Sequence, residues 1–201
     1  MTTRNIYHTF VLLFFFLLSC GETDQPNTRP SGDVSFNETT PPQEPFIEEG
    51  WEEQVIPNGQ FPDCYNLKPL KSNVDNYLLV KVGSGTDVAI KIMNAESDQC
   101  IRFVYISKNS TYKVKNIPQG EYYLKIAYGK NWYSKVENDQ CIGKFVTNAL
   151  YKKGSDILDY RVEESETGYS IPSYTLSLDV ISSSPVNSFS SATISEEEFN
   201  H

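Results

Sequence analysis

Between Asp87 and Gly129 large apolar residues recur at every second position in four short runs, and a chain patterned this way buries them as β-strands. Val88, Ile90 and Ile92 alternate with Ala89, Lys91 and Met93, and Ile101, Phe103 and Tyr105 alternate with Arg102, Val104 and Ile106. After the turn-forming Lys108-Asn109-Ser110, Tyr112 and Val114 stand against Lys113 and Lys115. After Pro118-Gln119-Gly120, Tyr122, Leu124, Ile126 and Tyr128 stand against Tyr123, Lys125 and Ala127. The period of two predicts half-buried strands, and four so close together need a second sheet to cover them.

The flanks supply it. Tyr77–Val82 reads as a first strand, closed by Gly83-Ser84-Gly85 as a hairpin turn. That glycine pair is no phosphate loop, because no helix follows and no Lys-Ser/Thr pair stands at the required spacing. Downstream, Phe145–Tyr151 and Ile157–Glu163 read as strands meeting at Lys152-Lys153-Gly154-Ser155, and Tyr174–Ile181 alternates once more. Seven or eight short strands without a long helix predict an all-β, antiparallel two-sheet sandwich.

The chain begins with Arg4, an uncharged apolar run from Phe10 to Leu18, then Ser19-Cys20-Gly21. This is the layout of a signal peptide over residues 1–19, too short to be a spanning helix of the mature protein. Leu17-Leu18-Ser19-Cys20 resembles the bacterial lipobox, whose cysteine is diacylated on sulfur, freed as the new N-terminus and usually acylated on the amine. The resemblance implies lipidation of Cys20 and anchoring without spanning, since several acyl chains hold where one is marginal. Gly21 in place of Asp favours, by resemblance to Gram-negative lipoproteins, export to the outer membrane; which face carries the domain stays open.

From Cys20 to Asp63 the chain holds seven prolines and no sustained apolar period. Ten acidic residues stand there against the single basic Arg29, a charge of −9, whereas residues 64–201 hold 16 acidic and 15 basic residues. Residues 20–63 are therefore expected to be a disordered acidic tether, interrupted by Phe46 and Trp51, which could dock a partner or pack on the domain's edge. Residues 64–182 are expected to be the sandwich, and residues 183–201 a Ser/Glu-rich tail whose Ser195-Glu196-Glu197-Glu198 could cap one helical turn but is more often frayed.

At Val114-Lys115-Asn116-Ile117-Pro118-Gln119-Gly120-Glu121-Tyr122-Tyr123-Leu124-Lys125-Ile126 the sequence resembles the carboxypeptidase regulatory-like and adhesin B-type repeat domains. In those prealbumin-like sandwiches an apolar-Pro-x-Gly turn leads into a strand headed by Tyr. The turn has a physical sense: Pro fixes φ, Gly takes a conformation other residues avoid, and the Tyr enters the core. The resemblance covers about 45 residues and implies a fold; such domains serve as stalks, accessory modules and ligand binders.

After removal of a signal peptide His201 is the only histidine, which argues against a Ser–His or Cys–His nucleophile and the common His-based zinc sites. No cofactor, metal or nucleic-acid partner is expected. Glu163, Glu164 and Glu166 are the densest carboxylates of the domain; a pair of them, Glu163 and Glu166, could act on a glycosidic bond, although such a run is more often a solvated loop. Trp132 and Tyr133, with Tyr128, could form a stacking platform for sugar rings or anchor an interface, if Trp132 does not instead cap the core.

With Cys20 lipidated, Cys64, Cys100 and Cys141 remain, an odd number for an oxidising compartment. The near-repeat Ser97-Asp98-Gln99-Cys100-Ile101 and Asn138-Asp139-Gln140-Cys141-Ile142 suggests two similar strand starts. A Cys100–Cys141 bridge would close a loop of about 40 residues and contribute about 4 kcal/mol; Cys64 paired with either remains open. The expectation is thus a non-enzymatic, membrane-anchored lipoprotein whose sandwich binds a protein or glycan of the envelope. A carbohydrate-binding surface module and a hydrolase stand as alternatives.

Overall fold

The computed structural model describes residues 49–181 and 184–201. The described residues belong to one compact unit. Cys20 and the proposed signal peptide lie outside the described residues. In chain order the strands are β1 (Glu52–Glu53), β2 (Tyr77–Val82), β3 (Asp87–Asn94), β4 (Cys100–Ile106), β5 (Thr111–Lys115), β6 (Glu121–Glu137) and β7 (Gln140–Gly154). Then follow β8 (Leu158–Asp159), β9 (Glu163–Ser165), β10 (Gly168–Ser170), β11 (Tyr174–Ile181), β12 (Ser184–Asn187) and β13 (Ser191–Thr193), before a short helix α1 (Glu196–Asn200).

The fold is an all-β sandwich. One sheet runs β13-β7-β6-β3-β4, with β1 and β8 also on β6; the other runs β12-β11-β2-β5. All pairings are antiparallel except β11 with β2. Leu78 and Val80 of β2, Ile90 and Ile92 of β3, Leu124 and Ile126 of β6, and Leu176 and Leu178 of β11 meet between the sheets. The connections at Gly83-Ser84-Gly85 and Lys108-Asn109-Ser110 cross from one sheet to the other. The first is therefore not the hairpin turn expected; its glycines lie against Asp179 and Val180 of β11, with no room for a Cβ.

The Pro-x-Gly turn behaves as its residues dictate. Gly120 has φ +149°, Ile117 and Tyr122 are buried, and the Tyr122 hydroxyl donates back to the Pro118 carbonyl at 3.1 Å. Buried Asn76 completes the turn, accepting from the Ile117 N–H at 2.7 Å and donating to its carbonyl at 2.8 Å.

At the centre of the larger sheet β3, β4 and the first half of β6 are buried on both faces rather than half-buried. All six residues from Val88 to Met93 are inside, because the outer face carries a second core of Ala89, Phe103, Tyr105, Ala127, Trp132, Phe145, Tyr151 and Phe199. Three pieces of chain cover it. The first is the segment before β2: β1 pairs with β6, Ile56 is buried, and residues 59–60 bond to the backbone of Tyr105 (Gly59 N–H to Tyr105 O 2.7 Å, Tyr105 N–H to Gln60 O 2.6 Å). The sandwich thus starts ahead of Cys64, and residues 49–63 are part of it, because their few apolar side chains have a sheet face to cover.

The second cover is the far half of the β6–β7 hairpin, which runs well past the expected ends at Tyr128 and Phe145. Gly129 faces two residues of β7, so the register shifts between Tyr128 and Lys130. Beyond the shift, where such a bulge bends a ribbon, the cores change: Tyr128 faces the inner core and Trp132, four residues on along β6, the outer one. Trp132 lies seven residues along β6 from Lys125, which is level with Phe103. A straight strand would hold them about 23 Å apart, yet the two rings are 6.1 Å apart, so the arm folds back over the sheet. At its tip Asn138 (φ 50°) and Asp139 (φ 63°) make the two-residue left-handed turn that suits a hairpin.

The third cover is α1, so the described part of residues 183–201 is not a frayed tail. Ser195 caps the helix by accepting from the Glu198 N–H at 3.0 Å, and Phe199 is fully buried. Five residues make too short a helix to stand alone. Its last carbonyls are bound by buried ammonium groups: Lys91 donates to Phe199 O at 2.8 Å and Asn200 O at 3.1 Å, and Lys125 to Glu198 O at 2.8 Å. Cations at a helix C-terminus complement its dipole, which explains two lysines inside a β-sandwich.

Candidate functional site

Two concave regions carry chemistry. The larger, about 560 Å³, opens between β4 and β5. Each is the last strand of its sheet, so the cleft lies along the open edge of the sandwich, and residues 59–61 and 69–71 border it. Lys71, Arg102, Lys113 and Lys115 line it, and among the described residues no carboxylate does. Arg102 is 5% exposed and its guanidinium donates to Ile101 O at 2.9 Å and Asn116 O at 3.4 Å. Burial lowers its pKa, against the effect of Tyr122. Lys71, Lys113 and Lys115 are exposed, and none of the ion pairs among the described residues includes any of the four. Lys113 lies 4.5 Å over the ring of Tyr77. The cleft therefore presents positive charge outside any ion pair of the described residues, beside the half-buried rings of Phe61 and Tyr112.

The other cavity, about 320 Å³, lies against the outer face of the larger sheet, next to α1. Cys64, Cys100 and Cys141 all line it, together with Lys91, Tyr65 and Asn200. Cys64 and Cys141 form a disulfide, with Cα atoms 5.4 Å apart, and Cys100 is a free thiol. The Cys100–Cys141 pairing is thus corrected in favour of the Cys64–Cys141 alternative. The reason is the folded-back arm, which brings Cys141 to the segment before β2. Asn200 clips this region together: it accepts from Tyr65 OH at 3.1 Å and Gly143 N–H at 2.9 Å, and donates to Gly143 O at 3.2 Å. Burial is the main cause that lowers Lys91 to about 8, with Cys100 opposing and Lys125 reinforcing it. Burial likewise raises the Cys100 thiol, with Lys91 as the leading opposing influence.

The aromatic platform is not at the surface. Trp132 is 1% exposed, stacked edge-on against Phe145 at 4.9 Å, and Tyr128 is fully buried, its hydroxyl donating to Asn187 at 2.8 Å. They lie in different cores, so they make no joint face. Tyr133 is half-buried, with its hydroxyl on Glu53 at 3.2 Å. Glu163, Glu164 and Glu166 are exposed on the small β9–β10 hairpin. Among the described residues no group of three His, Cys, Asp or Glu is placed to hold a metal ion. No helix among them is long and apolar enough to cross a membrane.

The basic cleft was not read from the sequence. Its residues come from β4, β5 and the segment before β2, and the local signal, Lys113 and Lys115 alternating with Tyr112 and Val114, is that of any solvated strand face. Compared with known proteins, the chain matches no family model, no curated protein and no solved structure.

Proposed function

We propose that the chain is a non-enzymatic lipoprotein, anchored through acylated Cys20 to the outer membrane, whose sandwich binds an anionic component of the cell envelope in the cleft between β4 and β5. The observation that carries the binding reading is the cleft's lining: three exposed lysines and one buried arginine around about 560 Å³, with no carboxylate among the described residues. Such a surface draws in anions and holds them by charge and by stacking on the rings of Phe61 and Tyr112. The lipobox-like residues 17–20 support the anchor, and the Ile117–Tyr122 turn supports kinship with prealbumin-like modules that bind or support.

The full chain, solubilised in detergent, is passed over an acidic polysaccharide matrix and over a neutral one. The reading expects retention on the acidic matrix alone, released by salt, and lost on K71Q/K113Q/K115Q. Equal retention on both matrices, or retention unaffected by the triple substitution, contradicts it. The carbohydrate-platform reading has lost its surface, since Trp132 and Tyr128 are core residues.

A further inference from the structure

The disulfide Cys64–Cys141 and the thiol of Cys100 belong to one cavity, although the three residues come from the segment before β2, the start of β4 and the start of β7. Cys100 is half-buried rather than sealed, and its thiol donates to Arg102 O at 3.1 Å. The Lys91 amino group, 5% exposed, lines the same space. Tyr65, the neighbour of Cys64, and Gln140, the neighbour of Cys141, line it as well. A disulfide whose only task was to staple the segment to the arm would need no third sulfur beside it.

We infer that this cavity is a thiol–disulfide exchange site, in which the Cys100 sulfur attacks the Cys64–Cys141 bond. Cys100 gives its proton to solvent; its thiolate forms a bond to one sulfur of the disulfide, that S–S bond breaks, and the other sulfur leaves as a thiolate that takes up a proton. One disulfide and one thiol enter the step and one of each leaves it, so no oxidant or reductant is consumed. Release of Cys64 unfastens the segment before β2; release of Cys141 unfastens the arm. The released thiol is then the group available to a thiol or disulfide of another molecule. Lys91 on β3 and Lys125 on β6 favour the attacking thiolate. Burial opposes it, and Tyr65, Tyr123 on β6, Asp139 at the hairpin tip and His201 are the other ionisable groups around it. Exchange is therefore slow at neutral pH and quickens as the thiolate fraction grows.

The test uses the full chain carrying C20S, so that Cys100 is the sole thiol at the start. Samples held at about pH 7 and about pH 9 are quenched with an alkylating agent, reduced, labelled with a second agent of different mass and mapped by peptide. The first label is expected on Cys100 alone at time zero, then on Cys64 or Cys141 with a constant total of one per chain. The rate should rise about tenfold per pH unit, and C100S should take no first label. Addition of urea below the unfolding transition separates site chemistry from unfolding: a rate flat in urea supports the inference, and a rate that climbs with urea from the first addition overturns it. A first label confined to Cys100 at every time and pH overturns it as well.

Discussion

Trp132 holds the folded-back arm against the sheet, with its ring among Phe145, Phe103 and Phe199. Gly143 opposite has no room for a Cβ because the indole occupies it. Trp132→Ala should cost about 3–5 kcal/mol in denaturant unfolding. Its indole N–H is buried without a hydrogen-bond partner, so Trp132→Phe should recover most of that loss, where a bonded indole would not allow it. Lys91 governs a second residue-scale outcome. Its folded pKa of about 8 lies below its ordinary 10.5. Between those values the unfolded chain binds more protons, so stability rises with pH by up to about 1.4 kcal/mol per unit. Tyr65, Tyr105, Tyr128 and Tyr151 are shifted up, chiefly by burial. They contribute stability below about pH 10 that is lost as pH rises further. In a C100S background, which removes the thiol's own titration, unfolding midpoints should climb from about pH 8 to about pH 10 and then fall. Lys91→Met should abolish the climb and keep the fall; a climb of equal size in that variant contradicts the assignment.

At the scale of elements, α1 and the arm are the parts that convert a two-sheet sandwich into a three-layer body. Phe199→Ala removes the one apolar side chain that α1 buries and should cost about 3–5 kcal/mol. It should also expose the backbone amides of Ala89 and Ala127 to faster hydrogen exchange; unchanged stability would mean that α1 merely rests on the sheet. These two elements are also where the sequence spoke least. The bounds of β2, β3 and β11 agree with their apolar alternation because that signal is local and the inner core is behind it. The arm broke the pattern at Gly129, opposite one extra residue on β7, and beyond it Trp132 lies in the outer core. Asn138-Asp139 was its available signature, two residues suited to a left-handed hairpin turn, hidden by the likeness to the Cys100 region. Ser195-Glu196-Glu197-Glu198 offered a helix cap, but a single Phe and five residues do not hold a helix by themselves; what supports it are Lys91 and Lys125, more than seventy positions away. For the same reason the cysteine pairing could not be deduced: it depends on where the arm folds.

At the scale of the molecule, charge is the property that organises the reading. Residues 20–63 carry −9 while residues 64–201 are nearly neutral, and among the described residues no ion pair takes in the cationic side chains of the β4/β5 edge. The anchor makes its own prediction: Cys20→Ser should abolish incorporation of labelled fatty acid and release the chain from membranes, and label retained on that variant would remove the lipobox reading. The binding claim is tested most directly by equilibrium titration of the full chain with a short acidic oligosaccharide, from low to physiological salt, beside K71Q/K113Q/K115Q. With about 0.5 kcal/mol for each exposed charge, the triple variant should bind about tenfold more weakly and with a shallower salt dependence. Equal affinity and equal salt dependence in the two proteins would contradict the cleft as the binding site.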